Sequence, residues 1–422
     1  MHISGLRKRL LYVRVALHVA TAFLFKALGR SMPFSRYFPF LRRAWLFLRT
    51  IRHSKVVKLK GTYKLHLYLP AYPTPAFFRS LDKLHSDNPP PVTVVLSMTR
   101  ACRYNCPHCY QKHDSGQELE LSKLIETARE MQRIGVTMFD IEGGEPLLRF
   151  ERLEALLSAL DETCEPWINT TGDGLTEEKL ARLKQLGLAG AMVSLHSPVE
   201  KHHDEFTGVK GSFQTALRAL KSFSDAGMHA VVNCCPSPES VAYGELEHIF
   251  HIAHDANCSF VQVIHGKAAG GWLETDPNRY NEAFDILKQT HLRYNSCEKM
   301  QFLAASVQVF EVFKGVLGCT AGAIDRFYVG AEGEVQPCEF LNISFGSVAD
   351  EPFMEIYRRM RQYFPCGRTE WLCCTKAREI AQAIAENGGS TPLEREQTER
   401  LVSNWDKYEP TPLYRKLGIY DR

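Results

Sequence analysis

From Val92 onward, short β-branched runs alternate with longer stretches in which apolar residues recur every three to four positions. Val92–Met98, Val136–Ile141, Trp167–Thr170, Ala191–Leu195, His229–Asn233 and Ser259–His265 predict six strands. Ser122–Ile134, Phe150–Leu160, Thr176–Leu186, Phe213–Ser224 and Gly244–Asp255 predict the helices between them, and a further helix follows over Tyr280–Tyr294. Thr176 reads as a helix cap, with Glu177 and Glu178 in the first turn, and Gly135, Gly187 and Gly227 read as stops. Strands alternating with helices imply a parallel sheet with crossover connections. Val92 to His265 is 174 residues. A closed eight-unit barrel takes about 250, so the expected fold is α/β, an open (βα)6 partial TIM barrel.

The first 60 residues follow another pattern. Val15–Phe25 is an apolar run bounded by Arg14 and Lys26, and as a run it is too short for a bilayer, which needs about 20 apolar residues. On a helix Arg7, Arg14, His18 and Thr21 form one stripe, and Val13, Leu17, Ala20 and Leu24 another. Residues 34–52 mix six aromatics with five arginines. Of the 51 Lys and Arg residues, 16 fall in residues 1–81, which hold no Asp or Glu; the other 35 face all 48 acidic residues, a balance of −13. The segment therefore reads as a basic helical arm that lies on an anionic membrane surface. A helical arm packed on the protein's own acidic body fits the same composition. So does a mitochondrial-type presequence. Nucleic acid is not expected as a partner. The expected organisation is a membrane-associating arm at 1–60, a Pro-rich linker at 61–91, a core at 92–297, a small cysteine-rich domain at 298–375 and a helical tail at 376–422. Within that tail Lys376–Glu386 reads as one helix, and Thr391-Pro392-Leu393-Glu394 reads as a capping box opening another.

Thirteen cysteines, an odd number in tight spacings, argue against a disulfide framework and for a reducing compartment; with the basic arm, the expected location is cytoplasmic, at the inner membrane face. Three of them, Cys102, Cys106 and Cys109, form Cys-x3-Cys-x2-Cys directly after the first strand. A [4Fe–4S] cubane normally takes four thiolates, so three from one loop leave an iron open to a small molecule. A zinc knuckle wants four ligands, with paired cysteines on two separate loops. Gly143-Gly144-Glu145-Pro146 follows the second strand, at the same mouth of the sheet.

The two phrases together resemble the radical S-adenosylmethionine (radical SAM) superfamily. The resemblance implies that Cys102, Cys106 and Cys109 hold a [4Fe–4S] cluster with one open iron. It implies that Gly143, Gly144 and Glu145 hold the amino group of S-adenosylmethionine, and that Asn169, Ser194 and Ile264, at the ends of the third, fourth and sixth strands, line the rest of that cofactor. His196 stands where an Asp is common, and His108 where an aromatic is. The implied reaction is reductive cleavage of S-adenosylmethionine to a 5′-deoxyadenosyl radical, which takes hydrogen from a substrate. No residue is assigned to that last step. The implied electron source is an external one-electron reductant of flavodoxin or ferredoxin type.

Cys319-x13-Gly333-x4-Cys338, with Tyr328–Cys338 read as a hairpin, resembles the opening half of a SPASM domain. Its second cysteine-rich half is missing, which implies one auxiliary Fe–S cluster, as in the shortened twitch version, on Cys319, Cys338, Cys366 and Cys373, with Cys374 as the alternate. Cys164, Cys234, Cys235, Cys258 and Cys297 read as core thiols. The substrate is not readable from the sequence; the N-terminal arm suggests a lipid or membrane-bound molecule. A peptide, as in SPASM-type maturases, and a non-catalytic Fe–S scaffold or electron carrier are the alternatives.

Overall fold

The computed structural model describes residues 2–296, 303–311, 316–406 and 409–420. The chain is built on a nine-stranded sheet: β1 (Thr93–Ser97), β2 (Met138–Glu142), β3 (Glu165–Thr170), β4 (Gly190–Ser194), β5 (His229–Cys234), β6 (Phe260–Val263), β7 (Ala304–Val307), β8 (Arg326–Val329) and β9 (Val335–Gln336). Their order is β7-β6-β5-β4-β3-β2-β1-β8-β9. All neighbours are parallel except β8 and β9, and the sheet does not close. All six expected strands are present, and β7 and β8 extend the sheet by one parallel strand at each side. The Tyr328–Cys338 hairpin forms as expected. The sequence reading missed that its first strand also pairs with β1.

The period-two pattern explains the layers. Outward residues such as Val94, Ile141, Ile168, Val193, Val232 and Val261 are buried under the crossover helices. Those helices include Leu121–Ile134, Phe150–Ala159, Glu177–Gln185, Ser212–Asp225 and Leu246–Asp255. Thr176 caps the third of them, accepting from the Lys179 amide. The inward face changes character along the strands. At the N-terminal ends Met138, Trp167, Met192, Val231 and Phe260 form an apolar plug. Toward the C-terminal ends the inward residues become Asp140, Glu142, Asn169, Ser194, Asn233 and Gln262. Register pairs Ser97 with Glu142 and Ser194 with Asn233, so these polar ends share one level.

Residues 61–91, expected as a linker, are packed. Leu65, Leu67, Leu69, Tyr72 and Phe77 are buried, and Val57 and Leu67 join the plug from below. The Pro-rich composition hid an alternation of inward leucines. Lys64, fully buried, pairs with Glu165 at the start of β3, and the Glu165 carboxylate also accepts from the Ala71 amide at 2.6 Å and Trp167 Nε1 at 2.8 Å.

The arm is an integral layer. Helices α1 (Gly5–Leu28) and α2 (Tyr37–Ile51) share a core with residues 65–84 and with the C-terminal helix Pro412–Leu417. The buried stripe of α1 is Leu11, Val15, Val19, Phe23 and Ala27, a row at i, i+4 on the face turned away from both stripes singled out in the sequence. Phe23 stacks on Phe40 with centroids 3.9 Å apart. Lys26 pairs with Asp82 and Arg36 with Asp87, and Arg43 donates to the Leu84 and Leu417 carbonyls. With 24 residues, α1 is long and apolar enough by length and composition to cross a membrane, contrary to the expectation from the shorter run Val15–Phe25. In the C-terminal part, helix Arg395–Ser403 starts at Glu394 and not at Thr391, whose hydroxyl is engaged with Asp114. The expected boundary at 297/298 and Cys297 lie outside the described residues.

Candidate active site

The cysteine loop leaves β1 at the C-terminal end of the sheet. It is held on both sides: Asn105 N donates to the Thr207 carbonyl at 2.9 Å, and the Cys109 carbonyl accepts from Gly271 N at 2.9 Å. Cys102 is exposed, and Cys106 and Cys109 are half-buried. Burial pushes the Cys106 thiol up to about 12 and Cys109 to about 11. Such thiols ionise only when a metal replaces the proton.

Gly143 and Gly144 run against residues 99–101, the segment between β1 and the first cysteine. Gly144 N donates to the Thr99 carbonyl and Glu145 N to the Ala101 carbonyl, each at 2.7 Å. A Cβ on Gly143 would sit 2.2 Å from the Thr99 carbonyl oxygen, and one on Gly144 2.4 Å from that of Ala101. Gly143 also has φ +150°, so both positions require glycine.

Eight expected site residues line one cavity of about 530 Å³: Cys102, Cys106, Cys109, Gly143, Gly144, Asn169, Ser194 and Ile264. Glu145 is not among them. Its carboxylate is buried and turned away, accepting from Leu147 N, Thr170 Oγ1, Thr171 N and Thr171 Oγ1. Contrary to the expectation that it holds the cofactor, Glu145 has four donors on its two oxygens, braces the end of β3 and has no face left for a ligand.

The residue the sequence reading missed lies three positions earlier. Glu142 is the last residue of β2, points inward and lines the cavity. Burial pushes its carboxyl up to about 8. Asn169 Nδ2 donates to Oε2 at 2.9 Å, while Glu142 Oε1 and Asn169 Oδ1 are buried acceptors with no partner. The period-two pattern of β2 was the signal that could have found it. Two orphaned acceptors and a cradle too tight for any Cβ fit a ligand bearing an ammonium and hydroxyl donors, as S-adenosylmethionine does.

His108, His196 and Trp272 also line the cavity and belong to an aromatic cluster with Phe206. His108 lies 4.7 Å from His196 and 5.0 Å from Phe206, and Trp272 adjoins His108 and Phe206. Burial lowers His108 to about 4 and lowers His196 further, so both rings are neutral at pH 7. Cys235 N donates to His196 Nδ1 at 3.2 Å. Lys267 Nζ, on the cavity wall, donates to His265 Nε2 at 2.5 Å and lies 4.9 Å above the Trp371 ring.

The second cysteine group lies on the far side of Lys267, whose charge stabilises the thiolates of Cys373 and Cys374. Cys319 pairs with Arg368 by two backbone hydrogen bonds of 2.7 and 2.9 Å. Cys373 acts electrostatically on Cys319 and Cys338, and Cys374 feels Cys319. A hydrogen bond from the Cys374 thiol holds Cys373 below its usual value. Cys366 is buried and acts on Tyr420. Among the described residues no three His, Cys, Asp or Glu side chains converge on a point that would hold a single metal ion. A cubane spreads its ligands over several irons and does not demand that convergence. Cys164, Cys234, Cys235 and Cys258 are buried; of these Cys235 also lines the active-site cavity, and every described cysteine is a free thiol.

Residues 96–249 match the family described as the Radical SAM superfamily. The chain carries a radical SAM domain and is an enzyme of that class, which removes the reading as a non-catalytic scaffold. It is 26% identical over 303 residues to the AdoMet-dependent heme synthase of Oleidesulfovibrio alaskensis, covering 65% of this chain and 76% of that one. It is 28% identical over 347 residues to the Fe-coproporphyrin III synthase of Methanosarcina barkeri, covering 70% and 85%. Among solved structures it resembles Streptococcus suis SuiB bound to precursor peptide SuiA, with TM-score 0.50 and 17% identity over 66% of this chain and 67% of that one, a likeness of fold. None of these three is named for a lipid substrate, so that expectation finds no support among them.

Proposed function

We propose that Cys102, Cys106 and Cys109 hold a [4Fe–4S] cluster with one iron free of protein ligands, and that Gly143, Gly144, Asn169, Ser194 and Ile264 seat S-adenosylmethionine beside it. The observation that carries this reading is that these eight residues, from five βα units, line one cavity at the polar end of the sheet. Bound together, the two cofactors supply one-electron cleavage of the sulfonium and a radical that abstracts hydrogen. The chain's own residues do the rest. Glu142 Oε1 and Asn169 Oδ1 accept from the cofactor's donors. Glu145 fixes the β3 end against the Gly143–Gly144 turn. The His108, His196, Phe206 and Trp272 cluster keeps water out. The electron comes from a flavodoxin- or ferredoxin-type partner.

A second, auxiliary cluster belongs on Cys319, Cys338 and Cys373, with Cys374 or Cys366 completing it. Cys374 shares an electrostatic influence with Cys319 and Cys373, and Cys366 is buried nearer the start of the same segment. Lys267, buried beside both groups and forming no ion pair among the described residues, suits an anionic substrate group. With relatives named for heme and coproporphyrin chemistry, it favours a carboxylated tetrapyrrole over a peptide. The test is anaerobic reconstitution with S-adenosylmethionine and a reductant, with and without coproporphyrin III. The expected result is 5′-deoxyadenosine formation that coproporphyrin accelerates and Cys106→Ala abolishes. A wild-type protein that carries its clusters and never cleaves S-adenosylmethionine refutes the reading.

A further inference from the structure

Exposed large apolar side chains are concentrated in one place. Of the thirteen among the described residues, nine lie between Leu6 and Trp45. On α1 they form a ridge, Leu6, Leu10, Val13, Leu17 and Leu28, each more than half exposed. On α2 Phe38 and Trp45 occupy the outer face two turns apart. Arg7, Arg14, Arg42 and Arg49 are exposed along the same two helices, and no acidic residue occurs before Asp82. A solvated surface helix keeps its polar residues outside; these helices carry leucines, a tryptophan and arginines there. An apolar ridge flanked by arginines is complementary to acyl chains beneath anionic headgroups.

We propose that the outer face of α1 and α2 docks the protein on an anionic lipid bilayer, with α1 lying in the interface and not across it. Length does not decide between the two, since α1 passes as a membrane span. Packing does. The inner row Leu11, Val15, Val19, Phe23 and Ala27 is at most 7% exposed and belongs to the core shared with the rest of the chain. Crossing the bilayer would strip that row from Phe40, Tyr72 and the C-terminal helix. The hairpin also sits beneath the N-terminal ends of the strands, where His2 bonds the Ser259 carbonyl just before β6 and Lys55 N bonds Asn295. Docking therefore leaves the active-site cavity, at the opposite strand ends, open to the aqueous side. This inference is independent of the chemistry proposed above.

The test is flotation of the full-length protein with vesicles of phosphatidylcholine alone and of phosphatidylcholine mixed with phosphatidylglycerol. The wild type is expected to float with the mixed vesicles, less so in high salt, and to be released by alkaline carbonate. Each of Arg7→Gln, Arg14→Gln, Arg42→Gln and Arg49→Gln is expected to lower partition about fivefold. Leu10→Glu with Leu17→Glu and Trp45→Glu is expected to abolish it while circular dichroism stays unchanged. A wild type that remains free of the mixed vesicles overturns the proposal, as does partition indifferent to the glutamates. Resistance to carbonate overturns the in-plane geometry. A vesicle-free dimer that the same glutamates dissociate assigns the face to a second copy of the chain and overturns the lipid partner.

Discussion

Gly144→Ala puts a methyl carbon 2.4 Å from the Ala101 carbonyl oxygen, 2.6 Å from its carbonyl carbon and 2.6 Å from the Arg100 carbonyl oxygen. Ordinary contact begins near 3.4 Å, so the two segments must separate by about 1 Å. All three obstructing atoms are backbone, so no side chain can swing aside. The segment that must yield is the one delivering Cys102, and it is anchored further along by the Asn105–Thr207 hydrogen bond. The stability cost is that of a typical overpacking substitution, about 1–3 kcal/mol. The larger effect is on geometry: a misplacement of about 1 Å between reacting groups costs on the order of a hundredfold in rate. The expected outcome is a folded protein that still binds iron and sulfide, with 5′-deoxyadenosine formation reduced about a hundredfold. The assay is anaerobic turnover with dithionite, alongside iron content and a thermal melt. Wild-type turnover in Gly144→Ala would refute the close-approach argument.

Lys64→Met leaves the Glu165 carboxylate buried without its cation and is expected to cost about 3–5 kcal/mol, read as a lower urea midpoint; adding Glu165→Gln should recover part of the loss. His203 and His229 are buried and held near 4, so they fold neutral, while the unfolded chain takes up protons below about 6.5. Stability from this source is complete above pH 6.5 and falls as pH drops toward 4, by about 2 kcal/mol for each ring at pH 5; urea midpoints that stay level between pH 7 and 5 would contradict this. Cys374→Ala and Cys366→Ala separate the two candidates for the fourth auxiliary ligand: the variant whose iron content falls from two clusters to one identifies it. Lys267→Met removes a cation beside Cys373 and Cys374 and is expected to lower the reduction potential of the auxiliary cluster, as followed by redox-poised EPR.

The barrel was legible because its signal is local. Each strand is a β-branched run and each crossover helix has a cap or a glycine stop, so Thr176 and Gly135 could be placed in advance. Convergence of the cysteine loop with Gly143, Asn169, Ser194 and Ile264 followed from topology, since parallel strands bring their C-terminal ends together. What escaped depends on partners distant in sequence. Strand β8 pairs with β1 across more than 200 residues, and nothing local announces that. The plug formed by Leu67 and the Lys64–Glu165 pair was concealed by prolines that read as linker. Glu145 and Glu142 could not be told apart by motif alone. The period-two pattern of the strand points Glu142 inward, and the donors around Glu145 and the empty oxygen on Glu142 show which carboxylate faces the cavity. The arm's composition pointed to a membrane or to the protein's own surface, and the inner face of α1 packs on the rest of the chain.

On the proposed reading, the Cys102–Cys106–Cys109 loop leaves one iron for a small molecule. EPR of the reduced cluster, in a Cys319→Ala and Cys373→Ala background so that one cluster is observed, tests it directly. Adding S-adenosylmethionine is expected to change the g-values of that signal, because the cofactor binds at the cluster itself. A signal unchanged by saturating S-adenosylmethionine, or a loop that holds zinc, would contradict the account.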